Sequence, residues 1–303
     1  MAIGYSLLNT TQSLFIKKID IDPVTQNLIF SVILFIFYYI YVKITYKFNP
    51  DLYKIKKNKF NISSNPFKNI FTNINSWYIG FSITILFLLL IISIKNLPLG
   101  IVIPTQMIWL FFALILSKFI RKSTITPKKI ISILLVIFGV IIININNIVN
   151  LKDSKSNLTT TLFYLVLLLI AMLSRAFMVT KVKQIEEDIT SYDMMLMEGG
   201  TTMILAIVIY IIYFLFQGKL WTFRFPKIVD LGILSLVIIL LTYPNQFLRF
   251  ESMKLIPENL WTLLSTLGII LSLVYGKIFF GENINSIKII GIIILILGIT
   301  YSK

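Results

Sequence analysis

Hydrophobic and polar residues follow one another along the chain in long blocks. Uncharged apolar blocks such as 24–42 and 160–173 are separated by short polar stretches that carry most of the Lys and Arg residues. A helix rises 1.5 Å per residue, so about 20 apolar residues cross the hydrocarbon core of a bilayer. The pattern therefore predicts an all-α membrane protein with ten transmembrane helices. The predicted spans lie at roughly 2–17, 24–46, 76–95, 98–118, 128–148, 159–180, 194–216, 228–249, 256–279 and 286–302.

One helix-to-helix joint occurs twice in the chain. SIKNLP at 93–98 aligns without a gap with SMKLIP at 252–257, 159 residues later. Over the 48 positions of 93–140 and 252–299, 12 are identical. The offset covers five predicted helices. Because five is odd, the second copy enters the membrane from the opposite side. We therefore expect two inverted five-helix repeats, 1–148 and 159–303, joined by a linker loop at 149–158.

Small residues occupy matching places in the two copies. Ser132 and Gly139 stand seven residues apart, as do Gly291 and Gly298. Seven residues are about two helical turns, so each pair lies on one face of its helix. Small residues let helix backbones approach closely in lipid, and inverted repeats are common in secondary transporters. The pattern predicts close helix packing and, for the whole chain, alternating access.

Charge orients the predicted spans. The chain carries a net charge of +15, and with the N-terminus inside, 17 Lys and Arg fall on the inner side against 10 on the outer side. The positive-inside rule then predicts that both termini are cytoplasmic. The stretch 47–75 is expected to be a solvated basic loop; alternatively it forms a surface helix. Since the basic residues cluster in loops between spans, we do not expect nucleic-acid binding. The chain has no Cys and no His, so we expect neither an enzyme nor a metal or other cofactor.

The end of the chain carries a family resemblance. KIFFGENINSIKIIGIIILILGI (277–299) leads from one helix through an acidic Gly-Glu turn, Gly281-Glu282, into a last helix with spaced glycines. Together with ten predicted spans in two halves, this ending resembles the EamA type of the drug/metabolite transporter superfamily. The first half departs from the pattern, because Lys122-Ser123 stands at the matching turn. The resemblance covers essentially the whole chain and implies a ten-helix transporter of small organic solutes, with the substrate left open.

Two ionisable residues lie inside predicted spans. Arg175 falls in the sixth span and Glu198 in the seventh. An intramembrane Arg costs about 2.5–3.5 kcal/mol on insertion scales, so it should face protein or water. Arg175 is a candidate contact for an anionic substrate; alternatively it snorkels toward the membrane surface near Lys181. Glu198 is a candidate for an ion pair with Arg175 or for carrying a coupling proton; alternatively it is a solvated interfacial carboxylate.

The stretch 240–251, LLTYPNQFLRFE, concentrates polar residues around a proline. Pro244 removes a backbone donor and leaves a carbonyl without its helical partner. The matching first-half stretch is wholly apolar, which indicates specialisation of the second half. Alternatively, the eighth span ends near Tyr243. The candidate substrate contacts here are Tyr243, Asn245, Gln246 and Arg249.

Further polar residues lie in other predicted spans. Four consecutive polar residues near the middle of the first span cannot all face one side, so some must bond other helices or a cavity; alternatively this segment is not a span. In the fourth span Gln106 aligns with Ser265 of the ninth, next to Thr266; alternatively such hydroxyls bond their own backbone. Trp109 is either near this path or an interfacial anchor. The candidate contacts from these spans are Asn9, Gln12, Gln106, Ser265 and Thr266.

Taken together, the sequence predicts an integral, multi-pass membrane protein that acts as a secondary transporter of a small organic solute. The two candidate arginines favour an anionic or zwitterionic solute. Protons are the candidate coupling ion, membrane lipid surrounds the protein, and a monomer and a homodimer are both compatible. Two alternatives stay open: a scaffold or assembly partner that transports nothing, and a lipid flippase.

Overall fold

The chain is helical throughout the part that the computed structural model describes, which comprises residues 2–49, 65–122, 126–151, 158–185, 190–216, 226–248, 267–281 and 284–301. A 3₁₀ turn (Gln106–Ile108) joins α5 to α6, and a π-helical segment (Ile238–Thr242) follows α10. The helices are α1 (Ala2–Lys18), α2 (Pro23–Phe48), α3 (Pro66–Thr72), α4 (Ile74–Asn96), α5 (Leu99–Thr105), α6 (Trp109–Arg121), α7 (Pro127–Leu151), α8 (Leu158–Ile185), α9 (Ser191–Phe216), α10 (Ile228–Val237), α11 (Leu267–Phe280) and α12 (Ser286–Tyr301).

Six helical stretches are long and apolar enough to cross a membrane, which confirms the prediction of a multi-pass helical membrane protein. They are Pro23–Phe48, Ile74–Asn96, Leu99–Ile120, Thr159–Ile185, Ser191–Phe216 and Ile228–Leu248. Shorter apolar stretches occupy Ile130–Ile143 and Ser286–Gly298. The count of ten spans stays a prediction, because α1 has 17 residues and residues 249–266, at the start of the predicted ninth span, lie outside the described ranges. The inverted repeat also stays a prediction.

Helix ends follow from local residue chemistry. The Asp22 side chain accepts hydrogen bonds from the backbone N–H groups of Val24 and Thr25, and Pro23 occupies the first turn of α2. This combination starts a helix well, because the cap satisfies two free donors and proline needs none. The side chains of Asn65 and Asn73 cap α3 and α4 in the same way.

The small residues identified in the sequence form a tight contact between α7 and α12. A Cβ atom on Gly139 would lie 2.6 Å from the carbonyl oxygen of Gly291, and one on Gly298 would lie 2.8 Å from that of Ser132. The Ser132 hydroxyl donates a hydrogen bond to the carbonyl oxygen of Gly298. The predicted close packing is confirmed, and the pairing shows that the two helices run antiparallel.

The first copy of the repeated joint, at 93–98, is hydrogen-bonded to the connection between α1 and α2. The Lys95 ammonium donates hydrogen bonds to the carbonyl oxygens of Ile19, at 2.9 Å, and Ile21, between α1 and α2. In return, Lys17 donates to the carbonyl oxygen of Leu97 at 2.6 Å. Each cation thus satisfies carbonyls that a helix end leaves without partners. The second copy of the joint lies outside the described residues.

The expectation of a solvated loop over 47–75 is wrong for its last part. Residues 65–75 include helix α3, which packs on α9. Ile70 is only 4% exposed. Its side chain packs closely on Gly200 of α9, because a Cβ atom on Gly200 would lie 2.8 Å from Ile70 Cγ2. Asn69, Ile70 and Asn73 are buried whereas Phe71 is exposed, and the spacing i, i+1, i+4 of the buried residues is that of one helix face. Residues 50–64 lie outside the described ranges.

Candidate functional site

A small cavity in the helix bundle brings together polar side chains from distant parts of the chain. The volume of the cavity that is open to the centres of water molecules is about 50 Å³. Six of the residues predicted to contact a substrate line it: Asn9, Gln12, Gln106, Arg175, Asn245 and Gln246. The other lining residues are Ser13, Ile16, Phe30, Leu86, Phe87, Leu90, Ile91 and Ile94.

Arg175 is buried in the protein interior rather than extended toward the membrane surface. Its side chain is 9% exposed, and its Nη1 atom donates a hydrogen bond to Gln106 Oε1 at 3.2 Å. The guanidinium lies 5.2 Å from the ring centroid of Trp109, a cation–π distance. Trp109 is 2% exposed, so the alternative of an interfacial anchor is wrong for this residue. Trp109 and Gln106 together fix the position of the cation at the cavity.

The bond to Arg175 determines what Gln106 offers to the cavity. Because Gln106 Oε1 accepts from a cation, its Nε2 is the remaining group, and that donor is buried with no partner among the described residues. A buried polar atom without a hydrogen bond is costly, and such atoms often mark a ligand or water site. Arg175 and Gln106 therefore present a positive charge beside an available N–H donor.

Asn245 and Gln246 reach the cavity because the eighth span continues beyond Tyr243. The Tyr243 N–H bonds to the carbonyl oxygen of Ile238, five residues earlier, and the chain stays helical over 243–248. The alternative that the span ends at Tyr243 is therefore wrong. Pro244 explains the local π form, since it cannot donate to the carbonyl four residues before it. Asn245 Oδ1 and Gln246 Oε1 are buried acceptors without a partner in the described part of the chain.

The four consecutive polar residues of α1, at positions 9–12, contact two different surroundings, as predicted. Asn9 and Gln12 line the cavity. Thr10 donates to the carbonyl oxygen of Gly268 at 3.3 Å, and the Thr11 hydroxyl lies 3.3 Å from that of Tyr275, both on α11. The prediction that some of these residues bond other helices and some meet a cavity is confirmed.

A comparison with protein-family models finds a match in the second half of the chain. Residues 162–302 match the EamA-like transporter family. This family is part of the drug/metabolite transporter superfamily, so the resemblance read from the sequence is confirmed over this range. The match supports a membrane transporter of this type. No curated protein matches the chain.

The EamA-like match includes Arg175, Asn245 and Gln246, but much of the cavity is apolar and comes from the first half. Five lining residues of α4 have the spacing of one helix face: Leu86, Phe87, Leu90, Ile91 and Ile94. We call this set the α4 stripe. Sequence reasoning missed it, although a signal existed: at the offset of 159, Leu86 matches Asn245 and Phe87 matches Gln246.

Tyr243 and Glu198 do not line the cavity. The Tyr243 ring lies 5.9 Å from that of Tyr38 and 5.5 Å from that of Tyr41, in an aromatic cluster that joins α2 to the end of the eighth span. Glu198 has no exposed surface. Its neighbour Gly199 packs on Tyr38, since a Cβ there would lie 2.6 Å from that ring. The alternative of a solvated carboxylate is therefore wrong for Glu198.

The remaining candidates lie outside the described residues: Arg249, Ser265 and Thr266. Within the described ranges, no group of three or more Asp or Glu side chains is placed to hold a metal ion. The described residues thus offer the cavity a cation, several amide groups and an apolar surface.

Proposed function

We propose that this protein is a secondary transporter that moves a small anionic or zwitterionic organic solute by alternating access between two inverted repeats. One observation carries the proposal: three pairs of residues, each separated by the repeat offset of 159, line the same cavity. A cavity on the axis that relates two inverted halves would be lined in this way. The pairs are Ile16 with Arg175, Leu86 with Asn245, and Phe87 with Gln246.

Helix contacts support the inverted repeat. At the offset of 159, α1 corresponds to α8, α2 to α9, α4 to the eighth span, α6 to α11 and α7 to α12. The contact of α4 with α8 has its counterpart in that of α10 with α1, and the contact of α6 with α8 in that of α11 with α1. The pair α7–α12 maps onto itself, because Ser132 meets Gly298 and Gly139 meets Gly291. Such reciprocal contacts are expected about a two-fold axis.

Backbone conformation supports the same repeat. Within the described ranges, φ is positive at Lys122, with 54°, and at Gly281, with 65°. These residues end α6 and α11 and are 159 positions apart. A left-handed lysine is uncommon, because its Cβ is crowded there. The first half thus keeps the turn conformation although it lacks the Gly-Glu sequence.

In this proposal the cavity is the solute site, and rocking of the halves opens it to either side. In this conformation the cavity has room for little more than water, so the two halves must move apart before a solute can enter. Lys and Arg counts favour cytoplasmic termini. Glu198, buried within the membrane-spanning helix α9, is the candidate carrier of a coupling proton.

Transport by purified protein tests the proposal. Liposomes containing the full chain are preloaded with pools of metabolites, and counterflow uptake of labelled pools is read by mass spectrometry. We expect accumulation of one chemical class, with loss in Arg175→Gln. Lys181→Gln is the matched control: it removes a cation from the same helix, away from the cavity lining, and should retain transport.

Two other functions would give different results in the same vesicles. A scaffold would accumulate no pool while remaining folded, and its role would survive Arg175→Gln. A flippase would accumulate no soluble pool but would move fluorescent phospholipid between leaflets.

A further inference from the structure

We infer that the solute is an amphipathic organic anion, with its acidic group at Arg175 and an apolar body along the α4 stripe. This inference rests on the proposed function and names the substrate class of the same cavity. Two features of the lining carry it, one polar and one apolar, and each excludes a different group of solutes.

The polar feature selects the sign of the charge. Arg175 places a positive charge at the cavity, and Gln106 Nε2 beside it is a buried donor without a partner among the described residues. A cation next to an N–H donor matches the oxygens of an acidic group, because charge-assisted hydrogen bonds are the strong ones. The geometry is held in advance by the Gln106 bond and the Trp109 ring. A neutral solute gains only the weaker hydrogen bonds of an uncharged acceptor from this arrangement, and a cation is repelled by it.

The apolar feature selects the rest of the molecule. The α4 stripe runs from Leu86 to Ile94, a rise of eight residue steps and about 12 Å along a helix. Phe30 of α2 adds to it, with its ring 4.9 Å from that of Phe87. A solute covered with hydroxyl groups would lose hydration against this surface and find few partners. A hydrocarbon or aryl chain of up to about that length gains by burial there.

The charged residue and the apolar surface come from different halves of the chain, with Arg175 in the second half and the α4 stripe in the first. At Leu86 and Phe87 the first half is apolar where the second half carries Asn245 and Gln246, and Ile16 stands where the second half has Arg175. A solute lying across the cavity therefore meets the cation and two amides of the second half on one side and the hydrocarbon of α4 on another, with Gln106 of the first half beside the cation. The polar acceptors Asn245 Oδ1 and Gln246 Oε1 suit an added N–H or O–H donor on the solute near its acidic group.

A matched set of probes separates these requirements. Hexanesulfonate has a permanent charge and an apolar chain, gluconate has a charge and a polyhydroxylated chain of equal carbon number, and hexanamide has the apolar chain without charge. Equilibrium binding to the purified full chain is measured for all three, and counterflow in proteoliposomes for the two anions. We expect hexanesulfonate to bind at least about tenfold more tightly than either other probe and to exchange across the membrane.

Two variants assign the preferences to the two features. Arg175→Gln should reduce the preference for hexanesulfonate over hexanamide about tenfold, whereas Lys181→Gln should leave it unchanged. Phe87→Gln, which copies the residue at the matching position of the second half, should reduce the preference for hexanesulfonate over gluconate. Both readouts are ratios within one protein sample, so partial loss of folded protein does not change them.

Other results would overturn the inference in distinguishable ways. If gluconate or another polar pool exchanges as well as hexanesulfonate, the protein is a transporter but its solute is not amphipathic. If no pool and no probe exchanges in vesicles with folded protein, the proposed function fails as well. If the vesicles instead move a fluorescent anionic phospholipid between leaflets, the ligand is a lipid of the same chemistry, and a free solute is excluded.

Discussion

Replacing Gly139 by alanine should separate α7 from α12. A Cβ at this position would lie 2.6 Å from the carbonyl oxygen of Gly291 and 2.8 Å from the Leu295 backbone nitrogen. Ordinary contact begins near 3.4 Å, so the nearest oxygen must retreat by the difference, about 0.8 Å. Because both atoms belong to the backbone, no side-chain rotation relieves the clash, and α12 itself must shift.

The size of the effect follows from two opposing contributions. Overpacking of a close contact costs about 1–3 kcal/mol. Alanine in a helix interior regains about 0.5–1 kcal/mol relative to glycine. The shift also strains the Ser132–Gly298 hydrogen bond two turns away on the same helix pair. We therefore expect Gly139→Ala to lower the free energy of unfolding by about 1–2 kcal/mol.

A control removes the helix-propensity contribution. Gly232 lies inside α10 with nothing within 4 Å of an added Cβ, so Gly232→Ala should leave stability unchanged or raise it by up to about 1 kcal/mol. The difference between the two alanine variants then isolates the overpacking cost. Reversible unfolding of the purified protein by SDS in mixed micelles, followed by Trp fluorescence, measures both.

Equal stability of Gly139→Ala and Gly232→Ala would refute the close contact. A further comparison uses Gly291→Ala, whose Cβ would lie 2.9 Å from the Gly139 carbonyl oxygen. Once one alanine has displaced the helices, the second should cost less, so the double variant should lose less than the sum. Strict additivity would place the two glycines in independent contacts and would contradict the antiparallel pairing.

Three further outcomes follow from the structure. Lys122→Gly should raise stability by up to about 1 kcal/mol and Gly281→Ala should lower it by about 1–2 kcal/mol, since only glycine adopts a positive φ without crowding; effects of equal sign in SDS unfolding would contradict this. Lys95→Met removes a cation bound to two backbone carbonyls and should cost about 1–3 kcal/mol in the same assay; wild-type stability would show that water replaces it. Glu198→Gln should abolish accumulation driven by a pH gradient while counterflow without a gradient continues; unchanged driving would exclude this carboxyl as the proton carrier.

Polar residues of the cavity were predictable because the membrane makes them conspicuous. Arg175, Gln106 and Asn245 lie within long apolar blocks, where each polar group costs free energy unless it meets protein or water. That cost is visible in the sequence without any structure. What the sequence could not supply is the choice among partners, such as the hydrogen bond from Arg175 to Gln106.

The α4 stripe was not predictable by the same reasoning. Leu86, Phe87 and Leu90 look like any other residues of an apolar span, since hydrocarbon facing lipid and hydrocarbon facing a cavity have the same composition. Apart from the repeat offset, which matches Leu86 and Phe87 with polar residues of the second half, only their neighbours in the structure distinguish the two environments. The sequence favours a loop over helix α3 for a related reason: its apolar positions are few, and burial of Ile70 under α9 depends on contacts distant in sequence.

The offset of 159 carries more structural information than the residue identities at it. Five of the twelve identical positions are isoleucine, which is abundant throughout this chain. By contrast, Lys122 and Gly281 differ chemically yet share a left-handed turn, and Ser132 and Gly291 differ yet occupy reciprocal places in one helix contact. Under the proposed repeat, the two halves share backbone geometry, which lets them exchange conformations, and differ in the side chains that line the cavity. If the cavity binds the solute as proposed, the two halves share a backbone arrangement but offer different side chains to it, and the sequence repeat is therefore weak at Ile16, Leu86 and Phe87.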